Sequence, residues 1–160
     1  MASITVQKHI AAPLETVFEY ATDLRRAPAR VSAIRKLEVL TDGPVAAGTR
    51  FRETRVLFKR EATEEMEITR FERPSGYTVS AESHGTRYRT DFAFRAAADA
   101  GTDVDVTFDA EPLTVSAKIM GFLMKPMLKS CAKLFAHDLD DLARAIEADR
   151  AASAQPAPRG

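Results

Sequence analysis

Apolar and polar positions alternate along most of this chain and then, past Pro112, give way to a spacing of three and four. Ile4, Val6 and Ile10 alternate with Thr5, Gln7 and His9, which predicts a first strand with one wet face. Pro13 suits the first turn of a helix, where a missing N–H leaves no bond unmade, and Glu15 complements the helix dipole. Val17, Phe18, Ala21 and Leu24 form a short apolar stripe that Pro28 ends, so two short helices are expected here. The turn clusters Asp42-Gly43-Pro44, Pro74-Ser75-Gly76 and Ala98-Asp99-Ala100-Gly101 then punctuate a run of strands. These are predicted near residues 34–40, 49–58, 61–71, 77–83, 86–96 and 104–110, and their short connections make neighbours antiparallel. Tyr88, Thr90, Phe92 and Phe94 share one face, as do Val104, Val106 and Phe108, while Arg87, Arg89, Asp91, Asp103 and Asp105 fall on the other. The sheet is therefore dry on one side and wet on the other.

After Pro112, Met124, Leu128, Cys131, Phe135, Leu139, Leu142 and Ile146 step along one helical stripe. Lys129, Lys133, Asp138, Asp140, Asp141 and Arg144 lie off it, so a long amphipathic helix is expected, with Gly121 and Pro126 breaking its start. The 160 residues make one domain, 1–148, and the apolar-poor tail 149–160 is expected to be disordered.

Composition narrows the partners. Lys plus Arg and Asp plus Glu both count 23, a balance that argues against a nucleic-acid partner. The single cysteine, Cys131, forms no intramolecular disulfide and fits a cytoplasmic setting. Neither a signal-peptide core nor a run of about 18 apolar residues is present, which predicts a soluble protein. His9, His84 and His137 share no metal-ligand spacing, and no HExxH, paired-cysteine, G-x-S-x-G or phosphate-cradling motif occurs, so neither metal nor cofactor is expected.

Several segments carry a resemblance. Residues Ile10-Ala11-Ala12-Pro13-Leu14-Glu15-Thr16-Val17-Phe18, Asp23 with Arg25 and Pro28, Gly48-Thr49-Arg50-Phe51, and Ile68 to Pro74 resemble the START-like, or SRPBCC, superfamily. Within it the chain is most similar to the polyketide cyclase/dehydrase and lipid transport branch, over residues 3–148. The resemblance implies an α+β helix-grip fold: a curved seven-stranded antiparallel sheet wrapped around a long C-terminal helix, with two short helices after the first strand. It also implies a cavity between sheet and helix, used in the family for lipids, sterols, polyketides or aromatic metabolites. One departure is Pro28-Ala29-Arg30-Val31, where the family often has a tryptophan; this chain has none.

Against that background the stretch 48–58, GTRFRETRVLF, is informative. One face would carry Phe51, Glu53, Arg55 and Leu57, the other Thr54, Val56 and Phe58, and neither is cleanly apolar. The reading taken here puts Phe51, Glu53, Arg55 and Leu57 inward, with Glu53 and Arg55 paired to meet a ligand's polar end; the alternative has them coating the outside. Tyr77, Tyr88, Thr90, Phe92 and Phe108 join them as ligand-binding candidates from the dry face, together with Met120, Met124, Met127 and Cys131 from the helical region. The segment around Met120–Leu128 has a second reading, a transient contact with a membrane surface through Lys125 and Lys129.

Three function classes follow. The first is a module, monomeric or homodimeric, that binds an apolar small molecule. The second is a cyclase or dehydratase using general acid–base groups, with Arg55, Tyr88 and His84 as catalytic candidates. The third is a module that docks a protein partner.

Overall fold

In the computed structural model, which describes residues 2–154, the alternating segments form seven strands. They are β1 (Ala2–Ile10), β2 (Ile34–Val39), β3 (Arg50–Leu57), β4 (Arg60–Glu72), β5 (Gly76–Ser83), β6 (Thr86–Ala96) and β7 (Thr102–Pro112). Every neighbour is antiparallel, in the order β1-β7-β6-β5-β4-β3-β2. The helices are α1 (Leu14–Thr22), α2 (Ala27–Arg30), α3 (Val115–Leu123) and α4 (Leu128–Ala154), with single 3₁₀ turns at Leu24–Arg26 and Lys125–Met127. This is the expected helix-grip arrangement. Register shifts at Ile34/Lys36 and Ile68/Arg70 mark bulges that bend the sheet around α4.

The core lies at one end only. Phe18 of α1, fully buried, meets Phe71, Tyr77 and Phe94 edge-on at 5.4, 6.2 and 5.5 Å between ring centroids. Val104, Val106, Leu139, Leu142 and Ile146 complete this cluster, so the later turns of α4 are packed onto β1, α1 and β7. Its first turns, by contrast, stand off from the sheet. Among the described residues no helix is long and apolar enough to cross a membrane.

Three local expectations are corrected. Asp138 and Asp141, assigned to the wet side of the last helix, point inward: Asp141 is buried and accepts hydrogen bonds from the Ser32 backbone N–H (2.9 Å) and hydroxyl (2.7 Å). Those bonds, with the charges of His137 and Arg144, hold its carboxyl below the usual range although burial itself pushes it up. Gly121 does not break the helix, because it lies inside α3; the break falls at the 3₁₀ turn containing Pro126. Thr114 caps α3 by accepting from the Ala117 N–H at 3.1 Å, so α3 starts as a separate helix. Lastly, α4 continues through Ala154, past the expected start of the tail at 149; the rest of that tail, 155–160, lies outside the described residues.

Candidate functional site

The mixed strand β3 resolves once its neighbours are in place. Arg50 and Arg52 face outward, where they pair with Glu65 at 2.8 and 3.5 Å, and the Thr54 hydroxyl lies 2.8 Å from that of Thr63. Phe51, Glu53, Arg55 and Leu57 face inward. The β3–β4 register sets Phe51 beside Met66, Glu53 beside Glu64 and Arg55 beside Ala62, while β2 sets Leu37 opposite Glu53. Phe58 belongs to neither face, because it turns the hairpin with a positive φ of 49°.

Between this inner face and the first turns of α4 is a hollow of about 480 Å³. Its walls are mostly apolar. Tyr77 stacks on Phe92 at 4.4 Å and Tyr88 on Phe108 at 5.9 Å, and Phe108 in turn meets Phe135 of α4 at 5.5 Å. Met66, Val79 and Leu134 also line the hollow. At the α1 end Arg30 lies over the Tyr20 ring at 4.0 Å, in the region where a tryptophan is absent. All three tyrosines of the chain line the hollow.

Arg30 and Glu64 also reach the wall, but one hydrogen-bonded group of charged side chains runs from β3 to α4. Arg55 Nε donates to Glu53 Oε1 at 2.7 Å, and its Nη1 donates to Asp138 Oδ2 at 2.9 Å. The side chains of Glu53, Arg55 and Asp138 are 11%, 19% and 17% exposed. Burial works against the Arg55 charge, but Glu53 and Asp138 outweigh it and hold the guanidinium ionised beyond its ordinary range. For Asp138 the balance falls the other way: burial, aided by Glu53, pushes its carboxyl up more than Arg55 draws it down. Its Oδ1 is buried and accepts no hydrogen bond among the described residues. Burial, and after it the Glu53 charge, raises the Tyr77 phenol far up, so that hydroxyl stays neutral; it donates to Ala21 O at 3.4 Å. Burial also raises the Cys131 thiol, which makes it a wall rather than a nucleophile.

Of the residues singled out from sequence, Phe51, Glu53, Arg55, Tyr77, Tyr88, Thr90, Phe92, Phe108 and Cys131 line the hollow. His84 stands exposed on its rim at the β5–β6 turn, with Ser83 Oγ 2.7 Å from its Nδ1. Met120, Met124 and Met127 do not line it: the break at Pro126 turns α3 away from the axis of α4 and takes the first two out to the surface. The methionine in the wall is Met66. Asp138 and Glu64 were missed. For Asp138 a signal existed, since Cys131, Phe135, Asp138 and Leu142 keep the spacing of four, three and four; a carboxylate on an apolar stripe marks a polar point in an interior. Among the described residues no group of His, Cys, Asp and Glu is arranged to hold a metal ion.

Comparison with known proteins fits this geometry. A protein from Thermus thermophilus shares 22% identity, with 92% of this chain and 99% of that one covered and a TM-score of 0.75. The Zhui aromatase/cyclase from Streptomyces sp. R1128 shares 13% identity over 91% of this chain and 93% of that one, with a TM-score of 0.76. Norcoclaurine synthase from Thalictrum flavum shares 13% over 93% and 96%, with a TM-score of 0.73. At these identities the likeness is one of fold. A search of curated proteins finds no match. A family model described as polyketide cyclase / dehydrase and lipid transport matches residues 1–147, the whole of the sheet and α4 as far as Glu147, and the chain belongs to that family.

Proposed function

We propose that the hollow holds a mainly apolar small molecule, lipid-like or aromatic, with one polar end set against Glu53, Arg55 and Asp138. The observation that carries this reading is the pairing of an apolar space with a hydrogen-bonded, largely buried charged trio. A volume of about 480 Å³ lies within the roughly 300–1,000 Å³ usual for small-molecule sites. The orphaned Asp138 Oδ1 is an acceptor in need of a donor, and burial makes such a vacancy costly. A hydroxyl or phenol on the ligand supplies that donor and removes its own apolar surface from water. Native mass spectrometry of the purified protein, with displacement of 1-anilinonaphthalene-8-sulfonate by lipids and aromatic compounds, tests the reading. Ala81→Trp, which fills the hollow from its wall, is expected to abolish uptake. Absence of any retained or displacing compound, or unchanged uptake in Ala81→Trp, overturns it.

A second reading, a cyclase or dehydratase, is favoured by the contrast between Arg55 and Asp138. A guanidinium held charged is suited to steady an enolate, and a carboxyl held up the pH scale is suited to give and take a proton. Tyr88 adds a hydroxyl on the same wall. The Zhui protein is an aromatase/cyclase by description, which lends this reading weight through fold alone. Turnover of a poly-β-ketone mimic that disappears in Arg55→Ala and Asp138→Asn supports it; equal turnover in both removes the pair from the chemistry.

A further inference from the structure

The helix that leaves the expected stripe does something specific with its apolar residues. At 3.6 residues per turn, Val115, Ile119, Phe122 and Leu123 fall on one side of α3, and Ala117 falls on the opposite side. Ala117 is the buried one. Val115 and Phe122 are 74% and 73% exposed, and Ile119 and Leu123 are exposed beside them. The helix is thus amphipathic in reverse, with its small residue on the protein and its large apolar side turned out. Nothing in the sheet or in α4 covers that side.

The charges along this stretch of chain are all of one sign. From Pro112 to His137 the chain has no Asp or Glu, and it carries Lys118, Lys125, Lys129 and Lys133, all exposed. Among the described residues the lysines paired with carboxylates are Lys8 and Lys36, both on strands, so these four ammonium groups are open to an outside anion. Lys125 lies 5.9 Å from the Phe122 ring, which places charge at the border of the apolar stripe. A second exposed apolar point lies at the same end of the sheet: Phe58 of the β3–β4 turn, followed by exposed Lys59 and Arg60.

Connectivity places both at one end of the hollow. The β3–β4 and β5–β6 turns lie at the same end of the sheet, where Leu57, Ser83 and His84 line the rim. The Leu113 N–H donates to Gly85 O at 2.8 Å, so α3 starts beside that rim and the 3₁₀ turn after it leads into the first turn of α4.

We infer that the outer side of α3, with the Phe58 turn, docks on a bilayer surface containing anionic lipid, with the rim of the hollow towards the lipid. The argument for lipid is charge complementarity around a flat apolar stripe: acyl boundary for Val115, Ile119 and Phe122, and headgroup anions for the four lysines. The docking stands apart from the ligand reading above, since it needs only the surface.

Co-sedimentation with vesicles of phosphatidylcholine alone, and of phosphatidylcholine with 30 mol % phosphatidylglycerol, tests it with the whole chain. Binding to the anionic vesicles is expected, with little to the neutral ones and a decline as salt rises. At about fivefold per lysine, Lys118→Gln with Lys125→Gln lowers the partition constant roughly 30-fold. Ile119→Ser with Phe122→Ser, at positions too exposed to disturb folding, lowers it more than tenfold. Unimpaired dye uptake by these variants separates loss of docking from loss of the hollow. Equal binding to neutral vesicles, no binding to either, or light scattering that shows a dimer dissociated by the same serine variants, overturns the inference.

Discussion

Replacing Arg55 by methionine isolates the electrostatics of the hollow. The change keeps the length of the stem and removes a guanidinium that sits 2.7 Å from Glu53 and 2.9 Å from Asp138. Both carboxylates are less than one-fifth exposed, so they are left facing each other with no cation and little water. Breaking a buried pair in this way costs about 3–5 kcal/mol. Because the hollow admits some water, the lower figure, about 3 kcal/mol, is expected near pH 7.5. For a domain of this size that corresponds to a fall in Tm of roughly 6–12 °C. The deficit should shrink towards pH 4.5. In the variant burial and the Glu53 charge still raise the Asp138 carboxyl and no guanidinium draws it down, so the folded state takes up a proton before the unfolded state does, and stability recovers as pH falls. Adding Asp138→Asn to Arg55→Met should recover more than about 1 kcal/mol by removing one of the two stranded charges. Urea unfolding of the three proteins at pH 4.5 and 7.5 measures all of this. A loss under about 0.5 kcal/mol, or a loss independent of pH, would refute the assignment of Glu53, Arg55 and Asp138 to an interior.

Three further outcomes are expected. His9 lies 2.8 Å from Asp103 and 2.9 Å from Asp99, and chiefly the bond to Asp103, then the Asp99 charge, raise its pKa. Its contribution is therefore full below about pH 6.5 and lost as pH rises through the folded value; the Tm gap to His9→Gln should close between pH 6 and 9. Phe18→Ala empties the centre of the aromatic cluster and should cost about 3–5 kcal/mol in urea unfolding. Ser32→Ala removes the 2.7 Å hydroxyl bond to buried Asp141 and should cost about 1–2 kcal/mol, with the largest effect above the ordinary carboxylate range, where Asp141 is ionised.

Much of the sheet is legible in the chain because its inner and outer faces obey different rules. On β6 and β7, Phe92 and Phe94 sit opposite Val106 and Val104, and the outward positions pair Arg95 with Asp103 in register. Alternation of that kind leaves one choice of face. On β3 it fails, because the hollow lets Glu53 and Arg55 face inward without full desolvation, so both faces read as mixed. The helical region fails for another reason. A hydrophobic period records which residues share a side, but not where the axis bends, so Met124 falls on the stripe of α4 by spacing while Pro126 directs it to the surface. Asp138 shows the converse: its position on the stripe was readable, and its charge masked that position, since carboxylates at such sites usually face water.

The placement of every tyrosine around one space, in a chain without tryptophan, has an optical consequence. Tyrosine emission from this protein, excited at wavelengths that phenylalanine does not absorb, originates in the walls of the hollow, at Tyr20, Tyr77 and Tyr88. An absorbing or quenching guest dims the entire signal, not a fraction of it. The molecule thus carries its own occupancy gauge, and no label need be attached to read it.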